Sequence, residues 1–147
     1  MQARPKLAAS ILAIEDDPNQ LELLELAIGA LPVEVPVTCA DNGMEALHLI
    51  QMAAMERFEG QVAMVLLDLR LPRMHGMDVL TRANELGLTG KAPFIVFTSS
   101  DSSAERDQAL ALGARDYLVK PLGFKPLRLL ISSLYERWIA SNPALSG

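Results

Sequence analysis

The sequence contains one cysteine, no excess of basic residues and no long apolar segment. The single cysteine, Cys39, cannot form an internal disulfide, so we expect the chain to fold in a reducing compartment. No apolar run approaches the roughly 20 residues that a membrane-spanning helix needs. The net charge of -5 provides no basic stripe for a phosphate backbone. We therefore expect a soluble, cytoplasmic protein with neither a membrane nor a nucleic acid as its partner.

Strand-like and helix-like patterns alternate along the whole chain, which is typical of βαβ units and a parallel sheet. Half of the residues are hydrophobic, which suits a sheet covered by helices on both faces. We predict strands at residues 10–14, 33–38, 62–67, 93–97 and 117–119. We predict a first helix with Pro18 in its first turn, and further helices after residues 41–43, at residues 76–86, at residues 104–112 and after Pro121. We expect one domain over residues 1–147, with a core at about residues 8–140, short terminal tails and no output domain.

Pro36 lies inside the second predicted strand and indicates the strand order. Proline cannot donate a ladder hydrogen bond, so it belongs on an edge strand. The second strand is an edge in the flavodoxin-like order 2-1-3-4-5. We therefore predict an α/β fold, a flavodoxin-like (βα)5 three-layer sandwich with a parallel five-stranded sheet of that order.

Polar side chains follow four of the predicted strands. Glu15 and Asp16 end the first strand, Asp68 ends the third, Thr98 follows the fourth and Lys120 follows the fifth. In the predicted order these four strands are neighbours, so their carboxyl ends meet at one edge of the sheet. Two carboxylates about 4 Å apart repel each other by roughly 1 kcal/mol in water and by about 4 kcal/mol at an effective dielectric constant of 20. We therefore predict a site for a hard cation, with Mg²⁺ preferred because it accepts oxygen ligands and phosphate.

The same edge can carry phosphoryl chemistry. Asp68 is a candidate nucleophile, since carboxylates form aspartyl-phosphate intermediates. The Thr98 hydroxyl and the Lys120 ammonium would then bind phosphoryl oxygens. Zinc is excluded because His48 and His75 lack partners at ligand spacing.

Four motifs carry a resemblance to a known family. They are Ile-Glu-Asp-Asp-Pro at residues 14–18, the stretch at residues 67–76, Thr-Ser at residues 98–99 and Lys-Pro at residues 120–121. Each motif is weak by itself, but all four follow strands in the right order. The chain resembles, over essentially its whole length, the response-regulator receiver domains of bacterial two-component signalling.

The resemblance implies a role for each residue of this edge. Asp68 would accept a phosphoryl group from a phosphohistidine on a sensor histidine kinase. Asp16 and Asp68 would bind Mg²⁺ directly, Glu15 through water, and the backbone carbonyl of Arg70 would be a further ligand. The remaining implied roles are the switch hydroxyl for Thr98, the rotating aromatic for Tyr117, phosphate binding for Lys120 and a cis peptide bond before Pro121. Phosphorylation would change the face formed by helix four, strand five and helix five.

The fifth predicted helix suggests a homodimer through that same face. Its inward residues are Leu127, Leu130, Ile131, Leu134 and Trp138, with Tyr135 and Ile139 at the margin of this stripe. Leu129 falls on the opposite, polar side of the helix at about 100° per residue. We predict that Leu129 belongs to a self-complementary surface.

The longer segment at residues 55–61, residues 120–124 and Trp138 are similar to the small regulators paired with phytochrome-type histidine kinases. The partner kinase is therefore expected to be of the phytochrome type. Two alternatives remain open. One is a phosphatase that forms an aspartyl phosphate. Phosphatases of the haloacid dehalogenase type need an acid two positions after the nucleophile, and Arg70 is there, so we expect no turnover enzyme. The other is a degenerate receiver that is never phosphorylated and serves as a docking module.

Overall fold

The computed structural model describes residues 4–55 and 61–145. Within these ranges five strands alternate with five α-helices. The strands are β1 (Ala9–Ile14), β2 (Val37–Ala40), β3 (Gln61–Leu67), β4 (Phe94–Thr98) and β5 (Asp116–Val119). The helices are α1 (Pro18–Gly29), α2 (Gly43–Ala54), α3 (Gly76–Glu85), α4 (Ser103–Ala111) and α5 (Phe124–Leu134). Most of the long segment predicted before β3, residues 56–60, lies outside the described residues.

The strands pair in parallel in the order β2-β1-β3-β4-β5, so the predicted flavodoxin-like topology is confirmed. The predicted start of the second strand was wrong, because β2 begins at Val37 and leaves Pro36 just before it. Proline has no N–H to give to a ladder. Its carbonyl oxygen still accepts a hydrogen bond from the Ile11 N–H at 2.9 Å, which joins this segment to β1.

The core lies on both faces of the sheet, because successive residues of a strand point to opposite sides. One cluster packs the sheet against α1 and α5, and includes Ile11, Leu24, Ile28, Met64, Ile95, Leu127 and Ile131. The other packs it against α2, α3 and α4, and includes Leu12, Ile50, Val65, Leu80, Phe94, Val96 and Ala109. Helices cover both faces of the central strands but not their ends, so the loops at the carboxyl ends remain accessible.

The last turns of the chain differ from the predicted helix. From Tyr135 to Ala140 the backbone widens into a π-helical segment. Tyr135, where the wider turn begins, and Ile139, within it, are both buried in the core rather than at the margin of the stripe. Leu129, by contrast, is 54% exposed, as its position on the helix indicated.

The helices are short, with 12 residues in α1 and 12 in α2. Across residues 4–55 and 61–145 none has the length and apolar character needed to cross a membrane.

Candidate functional site

The sheet brings the predicted polar residues together at one edge. Ile14 at the end of β1 pairs with Leu67 at the end of β3, and the Asp68 N–H donates to the Ile14 carbonyl oxygen at 3.0 Å. On the other side, the Lys120 N–H donates to the Thr98 carbonyl oxygen at 2.7 Å. The loops after β1, β3, β4 and β5 therefore start from adjacent positions.

The centre of this edge is an acidic cluster of Glu15, Asp16 and Asp68. One carboxylate oxygen from each residue lies within 4.8 Å of the others. Glu15 is 2% exposed and Asp68 is 5% exposed, whereas Asp16 lies open to solvent. Three oxygen donors of this kind, two of them shielded from water, suit a hard divalent cation.

Lys120 neutralises part of the cluster. Its ammonium donates to the Glu15 carboxylate and to Asp68 Oδ2, the latter at 2.8 Å. The other oxygen of Asp68, Oδ1, accepts from the Arg70 N–H at 3.0 Å. With all four groups ionised, three carboxylates face one ammonium, so the cluster keeps two net negative charges. This charge matches a dication.

Burial and charge alter two ionisation equilibria in the cluster. Burial raises the pKa of Glu15, and the neighbouring Asp68 raises it further against the opposing effect of Lys120, to about 7. Burial lowers the pKa of the Lys120 ammonium, but its bonds to Asp68 and Glu15 more than offset this, so the pKa lies above its ordinary value. The lysine thus stays charged, while Glu15 changes its charge near neutral pH.

Thr98 is the last residue of β4, and Tyr117 lies within β5. The Thr98 side chain is fully buried, and its hydroxyl oxygen accepts from the Ser100 N–H at 3.4 Å. Tyr117 is 2% exposed, so its ring already lies in the inward position. Its hydroxyl contacts the Ser100 carbonyl oxygen at 2.6 Å and Glu105 Oε1 at 3.0 Å.

Glu105, on the first turn of α4, was missed by the sequence reasoning. It contacts both Tyr117 and the guanidinium of Arg70. A local signal was present: Ser102 caps the helix by accepting from the Glu105 N–H, which is half of a capping box. That motif predicts where a helix begins and says nothing of a contact with the loop after β3.

The expected cis peptide bond before Pro121 was wrong. No cis bond occurs within residues 4–55 and 61–145, so the bond from Lys120 to Pro121 is trans. The trans form is preferred before proline by about 0.5–1 kcal/mol. With this bond trans, the Lys120 side chain still reaches both Glu15 and Asp68.

The backbone around Asp68 is fixed from the side of α3. The Gly76 N–H donates to the Leu69 carbonyl oxygen at 2.9 Å. A Cβ on Gly76 would lie 2.3 Å from the Asp68 carbonyl oxygen and 2.6 Å from Leu69 Cα. Only glycine allows this approach, so the start of α3 packs directly on the backbone of Asp68.

Asp16 and Arg70 line the same open groove, together with the loop that runs to His75. The Arg70 N–H bonds Asp68 Oδ1 at 3.0 Å, so the Arg70 backbone is held beside the acids. His75 has a different task, because its Nδ1 accepts from the Met77 N–H at 3.0 Å and caps α3. Among the described residues, the cluster of Glu15, Asp16 and Asp68 is the one group with metal-ligand spacing.

The fold and the site define a class: a flavodoxin-like α/β protein with an acidic, lysine-neutralised site at the carboxyl edge of its sheet. Residues 11–132 match the family described as the response regulator receiver domain. Over 136 residues, 92% of its length, the chain is 35% identical to the probable transcriptional regulator ycf27 of Cyanophora paradoxa, and it spans 51% of that relative. The chain belongs to the response regulator receiver domain family.

Two solved structures are similar in fold. The phosphorylated cyanobacterial phytochrome response regulator RcpA has a TM-score of 0.81 at 22% identity, and the match covers 99% of this chain and 100% of that one. The Mn²⁺-bound form of the response regulator Rcp1 has a TM-score of 0.80 at 21% identity, with 95% and 99% covered. At this level of identity the likeness concerns the fold.

Proposed function

We propose that this receiver domain accepts a phosphoryl group on Asp68 from a sensor histidine kinase in the cytoplasm. The observation that carries the proposal is the placement of Asp68, whose two oxygens are held by Lys120 and by the Arg70 N–H among two further carboxylates. An Asp68 oxygen would attack the phosphorus of a phosphohistidine. The N–P bond breaks, its electron pair returns to the imidazole, and an acyl phosphate forms on Asp68.

The surrounding side chains stabilise the product. The acyl phosphate carries about -1.5 to -2 charge where the Asp68 carboxylate carried -1, so phosphorylation adds roughly one negative charge next to Glu15 and Asp16. The Lys120 ammonium is already at the carboxylate and can bind a phosphoryl oxygen. The buried Thr98 hydroxyl, at the end of the adjacent strand, would bind a second one. Tyr117 would serve as the aromatic that reports the change.

The acidic cluster fits Mg²⁺, which would be held by Asp16, Asp68 and the Arg70 carbonyl, with Glu15 acting through water. When bound, the ion supplies positive charge that offsets the added phosphoryl charge. The excess of carboxylates over Lys120 supports this assignment, because it leaves negative charge for a dication to neutralise.

Mg²⁺ affinity is expected to rise about tenfold between pH 6 and pH 8, because a Glu15 with a pKa of about 7 must lose its proton to leave the cluster fully charged. In the metal-free protein the free energy of unfolding changes with pH in the opposite direction. Between about pH 4.5 and pH 7 folded Glu15 keeps a proton that the unfolded chain has lost, so unfolding free energy falls as pH rises. Calorimetric titration with Mg²⁺ at several pH values measures the affinity. Equal Mg²⁺ affinities at pH 6 and pH 8 would contradict the expected tenfold rise. E15Q should abolish the pH dependence of the Mg²⁺ affinity.

We propose a kinase of the phytochrome type as the partner. The support is that RcpA, described as a phytochrome response regulator, has this fold over its whole length.

The rivals are a phosphatase and a receiver that is never phosphorylated. Incubating the chain with a phytochrome-type kinase and labelled ATP should place label on Asp68. Beryllofluoride should bind tightly only with Mg²⁺, and phosphoesters should not turn over. Ester hydrolysis would favour the phosphatase, and failure of both labelling and beryllofluoride binding would favour the docking module.

We propose that α4, β5 and α5 form the signalling face and hold a homodimer together. The support is four large apolar side chains that remain exposed on these elements, Leu110, Val119, Phe124 and Leu129. A dimer would remove them from water, at roughly 25 cal/mol per Å² of apolar surface. L129E should weaken self-association about tenfold or more, measured by light scattering after gel filtration. L26E, at an exposed leucine of α1, is the matched control. A monomeric wild-type chain, with and without beryllofluoride, would rule out the dimer.

A further inference from the structure

The carboxylate of Glu105 connects two groups that belong to different parts of the site. Its Oε2 lies 3.0 Å from Arg70 Nη2, and its Oε1 lies 3.0 Å from the Tyr117 hydroxyl. Each oxygen therefore serves a different partner. The Glu105 side chain is 19% exposed, and its contact with Tyr117 is partly buried, whereas its contact with Arg70 lies at the surface.

The Tyr117 hydroxyl has more acceptors within reach than protons to donate. A phenol has one proton to donate, yet the Tyr117 hydroxyl has two acceptors within reach, the Ser100 carbonyl oxygen and Glu105. The Ser100 carbonyl oxygen is the nearer acceptor, and the Glu105 carboxylate adds a charge-assisted contact, so both hold the ring inward. Burial raises the pKa of the Tyr117 phenol, and the bond to Glu105 raises it further, so the proton is retained for donation.

Arg70 stabilises Glu105 in this position. An anion beside a carbonyl oxygen and a buried phenol needs a countercharge, and the Arg70 guanidinium supplies it. An ion pair with one partner 54% exposed contributes little by itself. Here its importance lies in the second contact of Glu105. The Arg70 N–H also holds Asp68 Oδ1, so the contacts run without a break from Asp68 through Arg70 and Glu105 to Tyr117.

We infer that Glu105 is a positioning residue that holds Arg70 and the Tyr117 hydroxyl together and keeps the tyrosine inward before Asp68 is modified. The loop after β3 and the ring on β5 are thereby coupled through one carboxylate. A role of this coupling in signalling rests on the proposed function. The retention of the ring is a property of the unmodified chain.

The test uses the full chain labelled with 3-fluorotyrosine, without metal or phosphodonor. The sequence has two tyrosines, and Tyr135, buried in the core, is the internal reference. Broadening of the Tyr117 fluorine signal by a soluble paramagnetic agent measures exposure of the ring. We expect E105A to increase the exposed population about tenfold, the loss expected for a hydrogen bond to a charged group. R70M should shift it in the same direction by a smaller factor.

Two further variants separate coupling from local damage. R82M breaks another exposed ion pair, with Glu85 at 3.6 Å, and should leave the Tyr117 signal unchanged. E105Q keeps an oxygen acceptor but loses the charge, and R70M/E105Q should expose the ring no more than E105Q does, because the pair is already broken. If circular dichroism shows E105A to be unfolded, E105Q and R70M decide. Additive effects, or a Tyr117 signal that matches R82M in every variant, would overturn the inference. Failure of Asp68 to bind beryllofluoride would remove the proposed function and leave this result intact.

Discussion

D68N should lower phosphoryl incorporation from a histidine kinase or from acetyl phosphate by about 100-fold or more, because an amide is not a competent nucleophile toward phosphorus. The substitution preserves the size of the side chain. An asparagine Oδ1 can still accept from the Arg70 N–H that now bonds Asp68. The expected loss therefore reports chemistry rather than a collapsed loop. Incorporation is measured as base-labile label on the purified chain.

D17N is the matched control for this experiment. Asp17 lies next to Asp16 and caps α1 by accepting from the Asn19 N–H at 2.9 Å, and asparagine caps helices equally well. D17N should keep nearly full incorporation. If D68N were labelled as strongly as D17N, another side chain would be the acceptor and Asp68 would lose its assigned role.

K120M should lower the free energy of unfolding by about 3–5 kcal/mol at pH 8 without Mg²⁺, because it leaves the buried carboxylates of Glu15 and Asp68 without their partner. The loss should shrink at pH 5.5, where Glu15, with its raised pKa of about 7, takes up a proton and removes one charge. Saturating Mg²⁺ should restore part of the loss at pH 8. Urea denaturation curves at both pH values, with and without the ion, measure each effect.

K125M serves as the control for this second series. Lys125 lies exposed on the first turn of α5, so its replacement should change stability by no more than about 0.5 kcal/mol. A K120M protein as stable as K125M at pH 8 would show that Lys120 does not neutralise the cluster in solution.

The sheet and the strand-end residues were predictable for one reason. In a parallel sheet, the position of a residue relative to the end of its strand is enough to place it at the common edge. Asp68 follows β3 and Lys120 follows β5, and the fold brings their side chains within 2.8 Å. Pro36 indicated an edge strand correctly even though it lies just outside β2, since the missing N–H limits both the position and the extent of pairing.

The contacts that could not be predicted join side chains from elements that are distant in sequence. Glu105 reaches Arg70 across 35 residues of sequence, and helix periodicity does not reveal such a meeting. The same holds for the end of α5, where the backbone widens into a π-helical segment and Tyr135 and Ile139 are buried in the core. The trans bond before Pro121 depends on a small energy difference that local sequence does not fix.

Gly76 has a consequence for anyone who would transplant this site. Its missing side chain lets α3 stand against the carbonyl group of Asp68, so the position of Asp68 depends on a helix that contributes no residue to the acidic cluster. A design that copies only the acids, the hydroxyl and the lysine onto another scaffold would omit this support. Gly76 is therefore as much a part of the site as any of its charged residues.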